Sequence, residues 1–321
     1  MTNLSIFIPT YNRPELLKQQ LTRLLPQIEN TKVIVVDNSS EQDIKSVIPS
    51  NVTYLRNRVN LGAAGNVLRC FELAETEWIW ICSDDDPILP NAVENIKTLI
   101  VKYSDSCFIS TSSPILSHTQ DSVNRSVGEL LSKLPEPGPL FWITAGLYNS
   151  KKLKPYFRVP CYLPSAAPHT AMMLTALANG HPATLTSLEI SGHHNPSDEK
   201  ERWNMYEVLA MTSDLVDLPI DINSRIEIAR SLESCIIAFD EHFVRCCNAV
   251  AHGVPGAQDL VMLFASRWSK LYAVQQEEDK LNELMVRLRV LRNPEESRSL
   301  LLALGPDSAR EIRPCIRFQR L

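Results

Sequence analysis

The amino-acid sequence predicts an α/β fold in which a mostly parallel sheet is covered by helices and a helical subdomain follows. Short apolar runs, typical of buried strands, alternate with amphipathic helical segments over the first part of the chain. Beyond residue 198, apolar residues recur at every third and fourth position, as they do along helices. We therefore expect an α/β domain at 1–197 and a helical C-terminal subdomain at 198–321.

The predicted strands are short segments rich in apolar residues. Crossover helices between successive strands favour parallel pairing, because parallel neighbours cannot be joined by a tight turn. The long polar segment at 112–138 is expected to be a loop. The strands are expected at 4–8, 32–37, 52–56, 78–82, 107–111, 141–148 and 183–187.

The predicted helices carry recognisable start and stop signals. Asn12 suits the N-cap of the first helix and Pro14 its first turn. Pro168 near the start and Gly180 after the end mark a later helix in the same way. The first two helices are expected to end near residues 25 and 74. The later helices are expected at 91–103, 167–179, 199–217, 222–251, 257–275, 277–292 and 295–304.

The composition is that of an ordinary globular protein, with 44% hydrophobic and 21% charged residues. The formal net charge of −5 argues against nucleic-acid binding through a basic surface. No apolar run approaches the roughly 18 residues of a membrane-spanning helix, and the N-terminus lacks the pattern of an export signal. The scattered cysteines have no metal-ligand or disulfide spacing, which predicts reduced thiols and a cytoplasmic location.

Three consecutive carboxylates, Asp84, Asp85 and Asp86, follow directly on the apolar strand that contains Trp78 and Trp80. Like charges packed this closely are unfavourable unless solvent or a cation compensates them. A solvated acidic turn is one interpretation. Because open α/β sheets bind ligands at the carboxyl ends of their strands, we prefer a divalent-metal site that holds phosphates.

Four segments together resemble the family 2 glycosyltransferases of the GT-A fold, a Rossmann-like α/β fold. Their order and spacing fit that family over roughly residues 3 to 110, the likeness is looser from 140 to 195, and none is specific after about 200. One such motif alone would be weak, whereas four in register are a strong indication. The segments are 7–13, 35–40, 60–62 and 83–86.

The resemblance implies an enzyme that moves a sugar from a nucleoside diphosphate sugar, with UDP-sugars favoured, to a sugar or lipid-linked hydroxyl acceptor. It also implies inversion at the sugar and a place in bacterial polysaccharide or glycoconjugate synthesis. Tyr11 offers a stacking face, and Asp37 an acceptor for the base or ribose; a packed turn aromatic and a turn cap are the alternatives. The implied donor-binding residues are Pro9, Thr10, Tyr11, Asn12, Arg13, Asp37, Asn38, Asn60, Gly62, Asn66 and Asp84.

The resemblance further implies that Mn²⁺ or Mg²⁺ bridges the two phosphates of the donor and stabilises the leaving diphosphate. The acidic triplet fits the family motif in two frames, either Asp84 with Asp86 or Asp84 with Asp85. A third metal ligand is expected from His194 or His193, which follow a glycine. A polar loop histidine is the alternative interpretation of either residue.

The general base is where this sequence departs from the family pattern. Inverting members use an acidic residue, but the corresponding helix here begins at 166–172 without an acidic pair. His169 lies near the N-terminus of that helix, where the helix dipole favours the neutral imidazole. We therefore expect His169 to be the base, with Glu189 as the other candidate; a packing histidine is the alternative.

Two other function classes stay open. A nucleotidyltransferase of related fold would carry a Gly-rich basic loop after its first strand, where this chain has 9–12 instead. A catalytically inactive member would bind sugar nucleotides or partner proteins. The C-terminal helices are expected to bind acceptor, to pair subunits as a homo-oligomer or to lie on a membrane. The terminal arginines either contact anionic lipid or are solvated: Arg310, Arg313, Arg317 and Arg320.

Overall fold

The computed structural model describes residues 3–113, 118–134, 138–163, 167–192, 208–209, 212–233, 235 and 237–304. The chain divides into two compact units. One comprises Met1–Ser197 with Leu218–Ile220, and the other comprises Asp198–Asp217 with Asp221–Leu321. The division of function between 1–197 and 198–321 stays a prediction.

The first unit is built on an eight-stranded sheet with the order β3-β2-β1-β4-β7-β5-β8-β6. Strand β1 pairs in parallel with β2 and β4, β2 with β3, and β5 with β8. Strand β7 runs antiparallel between β4 and β5, and β6 is antiparallel to β8. The mostly parallel sheet predicted from the sequence is confirmed. Its strands are β1 Leu4–Thr10, β2 Lys32–Asp37, β3 Thr53–Arg56, β4 Trp78–Ile81, β5 Phe108–Ser112, β6 Ser122–Asn124, β7 Gly146–Asn149 and β8 Ala183–Glu189.

Helices follow most of these strands, as expected of crossover connections. Short 3₁₀ turns lie at Gly138–Phe141 and Ile143–Ala145. The α-helices of this unit are α1 Pro14–Leu24, α2 Gly62–Leu73, α3 Ala92–Lys102, α4 Val127–Ser132, α5 Ser150–Leu153, α6 Val159–Tyr162 and α7 Pro168–Ala178.

The core of this unit lies between the sheet and its helices. Leu17 and Leu21 of α1 belong to the same buried cluster as Ile6, Val35 and Trp80 of the central strands. Strand β4 is buried along its whole length, which agrees with its apolar sequence. Truncating Leu17 to Ala would leave a cavity in this layer and cost about 2–5 kcal/mol of stability.

The N-cap assignment of Asn12 is wrong. The N-cap residue of α1 is Arg13, and Asn12 adopts a left-handed backbone conformation with φ of 55°. Its side-chain Oδ1 accepts hydrogen bonds from the main-chain N–H groups of Glu41, at 2.7 Å, and Gln42, at 3.3 Å. The amide of Asn12 therefore holds the loop after β2 instead of capping a helix.

The expectation of a loop over 112–138 is also wrong, because this stretch contains β6 and α4. Ser126 is the N-cap of α4, and its side chain accepts a hydrogen bond from the N–H of Glu129 at 3.2 Å. Val127 and Leu130 are buried on the inner face of this short helix. The Ser-x-x-Glu pattern was the local signal for this helix start.

The second unit is helical in its described residues, as predicted. The single helix expected at 222–251 is instead two helices, because Ala238 has an extended backbone, with ψ of 162°. Its core includes Phe243, Phe264 and Trp268. No helix among the described residues of the chain has the length and apolar character needed to cross a membrane. The helices are α8 Ile222–Glu233, α9 Phe239–Ala251, α10 Ala257–Gln275, α11 Glu278–Leu291 and α12 Pro294–Leu304.

Candidate functional site

The carboxyl ends of β1, β2 and β4 meet at one edge of the sheet. Thr10, the last residue of β1, lies opposite Asp37, the last residue of β2. The N–H of Cys82, just after β4, donates to the carbonyl of Phe7 at 2.8 Å and keeps the chain in register beyond the strand. Because the acidic triplet begins two residues later, parallel pairing alone brings it beside Thr10.

Asp84 and Asp85 converge on one arginine. Nη1 of Arg13 lies 3.3 Å from Oδ1 of Asp84 and 2.9 Å from Oδ2 of Asp85. The hydroxyl of Thr10 donates to Oδ2 of Asp84 at 2.7 Å. The hydroxyl of Ser83 donates to Oδ1 of Asp85. Two carboxylates from one turn thus face a single cationic group.

Asp84 is buried, with only 4% of its surface exposed. Burial raises the pKa of its carboxyl to about 6, and the Arg13 charge and the Thr10 hydrogen bond lower that pKa in opposition. A cation that approaches this buried carboxylate stabilises its ionised form and so lowers its pKa. The site is therefore suited to positive charge.

Asp86 has hydrogen-bond partners different from those of Asp84 and Asp85. Its Oδ2 accepts a hydrogen bond from the hydroxyl of Thr144 at 2.6 Å and another from the indole N–H of Trp142. The turn that carries Trp142 and Thr144 leads into β7, the strand inserted next to β4. Sequence reasoning assigned no site role to either residue.

Gln20 fixes the main chain of the acidic turn. Its Nε2 donates to the carbonyls of Ser83, at 2.7 Å, and Asp86, at 2.6 Å. Gln20 is fully buried on the inner face of α1, beside Leu17 and Leu21. The sequence contained a signal for it, since a polar residue on an otherwise apolar helix face needs a buried partner.

Asp37 is buried and fully engaged. Its Oδ1 accepts from the N–H of Ser40 at 2.9 Å, and its Oδ2 accepts from the hydroxyl of Tyr54 at 2.7 Å and from Nη1 of Arg56 at 3.1 Å. Burial, followed by the hydrogen bond to Asp37, raises the pKa of Tyr54 above its usual value. Tyr54 and Arg56 alternate along β3 and so point to one face, a signal that the sequence analysis did not use.

A network of asparagine amides holds the turn before α2. Asn38 Nδ2 donates to Oδ1 of Asn60 at 2.7 Å and to the carbonyl of Gly62 at 3.2 Å. Nδ2 of Asn57, a residue that the sequence analysis missed, donates to Oδ1 of Asn38 at 3.1 Å and to Oδ1 of Asn66 at 2.9 Å. Gly62 has a φ of 71°, a conformation that glycine adopts without strain. Asn38, Asn60 and Gly62, three of the expected donor-binding residues, are thus bonded to one another, and Asn57 links Asn66 to them.

Tyr11 lies on the open side of this edge, because 40% of its surface is exposed. It directly follows Thr10, and the next residue, Asn12, donates its main-chain N–H to the hydroxyl of Ser40 at 2.8 Å. The backbone on both sides of Tyr11 is therefore held in place. An exposed ring on a fixed backbone can stack on a flat ligand.

His169 lies in the first turn of α7 and is only 2% exposed. Burial lowers the pKa of its imidazole to about 4, although the nearby carbonyls of Leu140 and Phe141 raise it. Neither ring nitrogen makes a hydrogen bond of good geometry with the described residues, and the ring packs edge-on against Tyr148 at 5.8 Å between centroids. The imidazole is neutral at pH 7, and its assignment as base stays a prediction. Glu189 is exposed at the end of β8.

The described residues contain no group of three or more His, Cys, Asp or Glu side chains placed to hold a metal ion. His193 and His194, the expected third ligands, lie outside the described residues. The oxygens of Asp84 and Asp85 nevertheless converge on one cation position. Mg²⁺ sites commonly use one or two carboxylates together with the phosphates of a substrate. The donor set therefore fits a divalent ion that binds with a phosphate ligand.

The sequence matches Glycosyl transferase family 2 over residues 5–157, and the resemblance found in its motifs is thereby confirmed. Among curated proteins, abequosyltransferase RfbV of Salmonella typhimurium is 30% identical over 112 residues, which cover 32% of this chain and 34% of that protein. The chain spans about a third of the length of the curated relatives it matches.

The fold is shared with solved structures, among them TarS and PcManGT. TarS of S. aureus, in complex with UDP-GlcNAc, superposes with a TM-score of 0.65 at 14% identity and covers 95% of this chain and 91% of its own. The mannosyltransferase PcManGT of Pyrobaculum calidifontis, in complex with GDP-Man and Mn²⁺, gives 0.52 at 13% identity, with 95% and 88% covered. The GT-A fold implied by the resemblance is confirmed.

Proposed function

Residues 5–157 match Glycosyl transferase family 2, and on that premise we propose that this protein transfers a sugar from a nucleoside diphosphate sugar to a hydroxyl acceptor. The observation that carries the proposal is the convergence of Thr10, Asp37 and the acidic triplet at one sheet edge. An exposed aromatic ring, that of Tyr11, lies at the same edge. Base, ribose and phosphates each find a chemically suited partner there.

The nucleoside is proposed to bind along the ends of β1 and β2. Tyr11 stacks on the base, with Pro9, Asn12 and the asparagine network around Asn38, Asn60, Gly62 and Asn66 shaping the pocket. Asp37 accepts from the base or ribose. Arg56, whose side chain is 46% exposed, is the partner of Asp37 that a ligand group replaces most easily.

The diphosphate is proposed to bind at the acidic triplet together with Mn²⁺ or Mg²⁺. Asp84, Asp85 and Asp86 are the residues that hold the ion, in either of the two frames. The ion supplies Lewis-acid stabilisation of the leaving diphosphate. Arg13 gives up its position between the carboxylates and pairs with a phosphate oxygen, for which a guanidinium is well suited. PcManGT, which shares the fold, was solved with Mn²⁺ and GDP-Man.

Transfer is proposed to occur with inversion. The acceptor oxygen attacks the anomeric carbon, the bond from that carbon to the diphosphate oxygen breaks, and the nucleoside diphosphate leaves with the electron pair. A base takes the hydroxyl proton of the acceptor. His169 is the proposed base because its neutral imidazole holds a lone pair at pH 7. Its burial requires the acceptor to reach the first turn of α7, and Glu189 is the alternative.

The donor and the biological setting are proposals of wider scope. UDP-sugars are favoured as donors, TarS having been solved with UDP-GlcNAc. A relative from Campylobacter jejuni is named as a glucosyltransferase acting on an undecaprenol-linked glycan. A sugar or lipid-linked acceptor in bacterial glycoconjugate synthesis would fit these names. Acceptor binding, homo-oligomer formation and membrane contact are the proposed roles of the helical unit, in a cytoplasmic protein.

The proposal is tested by incubating the protein with UDP- and GDP-sugars and Mn²⁺, and by measuring release of the nucleoside diphosphate with and without glycan acceptors. Activity should disappear with EDTA and in Asp86→Ala, but persist in Asp105→Ala, which removes an exposed carboxylate elsewhere. No turnover of any of these donors in the wild type, with or without acceptor, would contradict the proposal.

A second candidate function is binding of sugar nucleotides without turnover, which the burial of His169 and the lack of an acidic pair favour. It predicts nucleotide binding that depends on Mn²⁺ but no release of product. A nucleotidyltransferase would instead form a nucleotide sugar and pyrophosphate from a nucleoside triphosphate and a sugar 1-phosphate. Measuring Mn²⁺-dependent nucleotide binding, release of the nucleoside diphosphate and formation of pyrophosphate on the same preparation distinguishes the three functions.

A further inference from the structure

Thr144 connects the acidic turn to the strand inserted beside it. Its hydroxyl accepts a hydrogen bond from the N–H of Ser83 at 3.0 Å and donates one to Oδ2 of Asp86 at 2.6 Å. Its carbonyl accepts from the indole N–H of Trp80 at 2.8 Å. Thr144 is completely buried, at 0% exposure, so water does not compete for these bonds.

The direction of these hydrogen bonds is fixed. A hydroxyl has one proton to donate, and at Thr144 the N–H of Ser83 occupies an acceptor position on the same oxygen. The single proton is therefore left for the carboxylate of Asp86. Because the carbonyl of Thr144 is anchored to Trp80 of β4, the main chain that carries the hydroxyl cannot shift away without breaking a second buried bond.

The indole N–H of Trp142 donates to the same carboxylate oxygen from two residues away. Two donors on one oxygen, the buried hydroxyl of Thr144 and the half-buried indole N–H of Trp142, set the plane and the rotation of the Asp86 carboxylate. Hydrogen bonds of this kind orient metal-binding carboxylates, and their loss typically weakens metal affinity or activity by about 10- to 100-fold.

We propose that Thr144 is a positioning residue, which together with Trp142 holds the Asp86 carboxylate in the orientation that binds a divalent ion with a nucleoside diphosphate. This inference rests on the proposed function. It adds two residues, from a turn some sixty positions further along the chain, to a metal site that the sequence placed in the acidic triplet with His194 or His193.

The test is a titration with Mn²⁺ in the presence of saturating UDP or GDP, in which free Mn²⁺ is measured by electron paramagnetic resonance. Thr144→Val keeps the shape of the side chain but removes the hydroxyl, and Thr144→Ser keeps the hydroxyl. The Thr144→Val variant should bind Mn²⁺ roughly 10- to 100-fold more weakly than the wild type, and the Thr144→Ser variant no more than about threefold more weakly. Trp142→Phe should also weaken Mn²⁺ binding, as Thr144→Val does.

Thr111→Val is the matched control. Thr111 is also completely buried, and its hydroxyl donates to the carbonyl of Ala145 at 3.0 Å, so it holds the same turn without touching Asp86. The Thr111→Val variant should lower the melting temperature as Thr144→Val does, yet its Mn²⁺ affinity should stay within about twofold of the wild type. Nucleotide binding in EDTA should be the same in all variants, which separates a local effect from general unfolding.

Three outcomes would overturn the inference: Mn²⁺ affinity in Thr144→Val equal to that of the wild type, equal losses in Thr144→Val and Thr111→Val, or no Mn²⁺ binding by the wild type with nucleotide. The last outcome together with sugar transfer in EDTA would contradict the proposed metal requirement but leave the proposed sugar transfer standing. Conversely, the expected Mn²⁺ affinities without any sugar transfer would support the role of Thr144 and contradict the transferase.

Discussion

Arg13 and Asp84 form a partly buried ion pair, with 3.3 Å between Nη1 of the arginine and Oδ1 of the carboxylate. The same nitrogen also reaches Asp85, so one guanidinium serves as counter-ion for two adjacent carboxylates. A divalent ion that binds to these oxygens has to displace it. A metal ion that binds at these carboxylates would therefore have to compete with Arg13 for them.

Arg13→Gln should increase the affinity for Mn²⁺ in the absence of nucleotide, because the competing cation is removed. The pair is about a third exposed on the arginine side, so we expect a gain of about 1 kcal/mol, or roughly fivefold. The measurement is the Mn²⁺ titration by electron paramagnetic resonance. Arg69→Gln, which breaks an exposed ion pair with Glu72 on α2, should have no effect. Weaker Mn²⁺ binding in Arg13→Gln would contradict competition.

Tyr11→Ala should weaken binding of the nucleotide by about 1–3 kcal/mol, the size of a base–aromatic stack. Tyr11→Phe keeps the ring and should bind nearly as well as the wild type. Both variants should unfold at the wild-type temperature, since Tyr11 is substantially exposed. The dissociation constant of UDP, measured by calorimetry, is the readout. Equal binding of UDP by the Tyr11→Ala and Tyr11→Phe variants would contradict a role of Tyr11 in nucleotide binding.

His169→Gln should reduce turnover by a factor of about 100 or more if the imidazole is the base, because general-base catalysis contributes about 10²- to 10⁴-fold. Gln is polar and of similar size, so the loss of stability should be small. The assay is single-turnover sugar transfer at saturating donor. His169→Phe provides the comparison, because it preserves packing against Tyr148. Full turnover in both variants would show that His169 only packs the helix.

The helical unit should lose stability in acid through His242. Burial, together with the charges of Arg267 and Arg245, lowers the pKa of His242 to about 3, and its Nδ1 accepts from the indole N–H of Trp268 at 3.2 Å. The unfolded chain binds a proton near pH 6.5 and the folded chain does not. Stability is therefore complete above about pH 6.5 and falls as the pH drops towards 3, by about 2 kcal/mol at pH 5.

His242→Asn isolates this contribution, because its Oδ1 can replace the acceptor at the Nδ1 position and does not titrate. The free energy of unfolding in urea, measured at pH 7 and pH 5, should drop less in this variant than in the wild type. His252→Asn changes an exposed histidine just after the same helix and should follow the wild type. Identical pH dependence in wild type and His242→Asn would rule out the effect.

The sequence was sufficient to predict the strands whose ends build the site. Buried β-branched and aromatic runs and their crossover helices are local signals, and parallel pairing follows from them. Thr10, Asp37 and Asp84 could thus be predicted to lie close together before their distances were known.

The insertion of β7 between β4 and β5 could not be predicted, because strand order depends on contacts distant in sequence. Trp142 and Thr144 were missed for this reason. Gln20 and Tyr54 were missed although their spacing along a helix and a strand was a signal, whereas Asn57 is an ordinary polar residue until its buried partner is known. The buried setting of His169 likewise depends on packing against β7.

The antiparallel insertion of β7 also has a consequence for the order in which the site matures. During synthesis, the acidic triplet emerges from the ribosome well before residue 144, so Asp86 lacks its two hydrogen-bond donors until the turn at Ile143–Ala145 docks. A fragment that stops after β5 contains every carboxylate of the site, but it should hold Asp86 without a fixed orientation. If the acidic turn binds a metal ion as proposed, we expect that ability to be acquired late, after Thr144 and Trp142 have docked against Asp86.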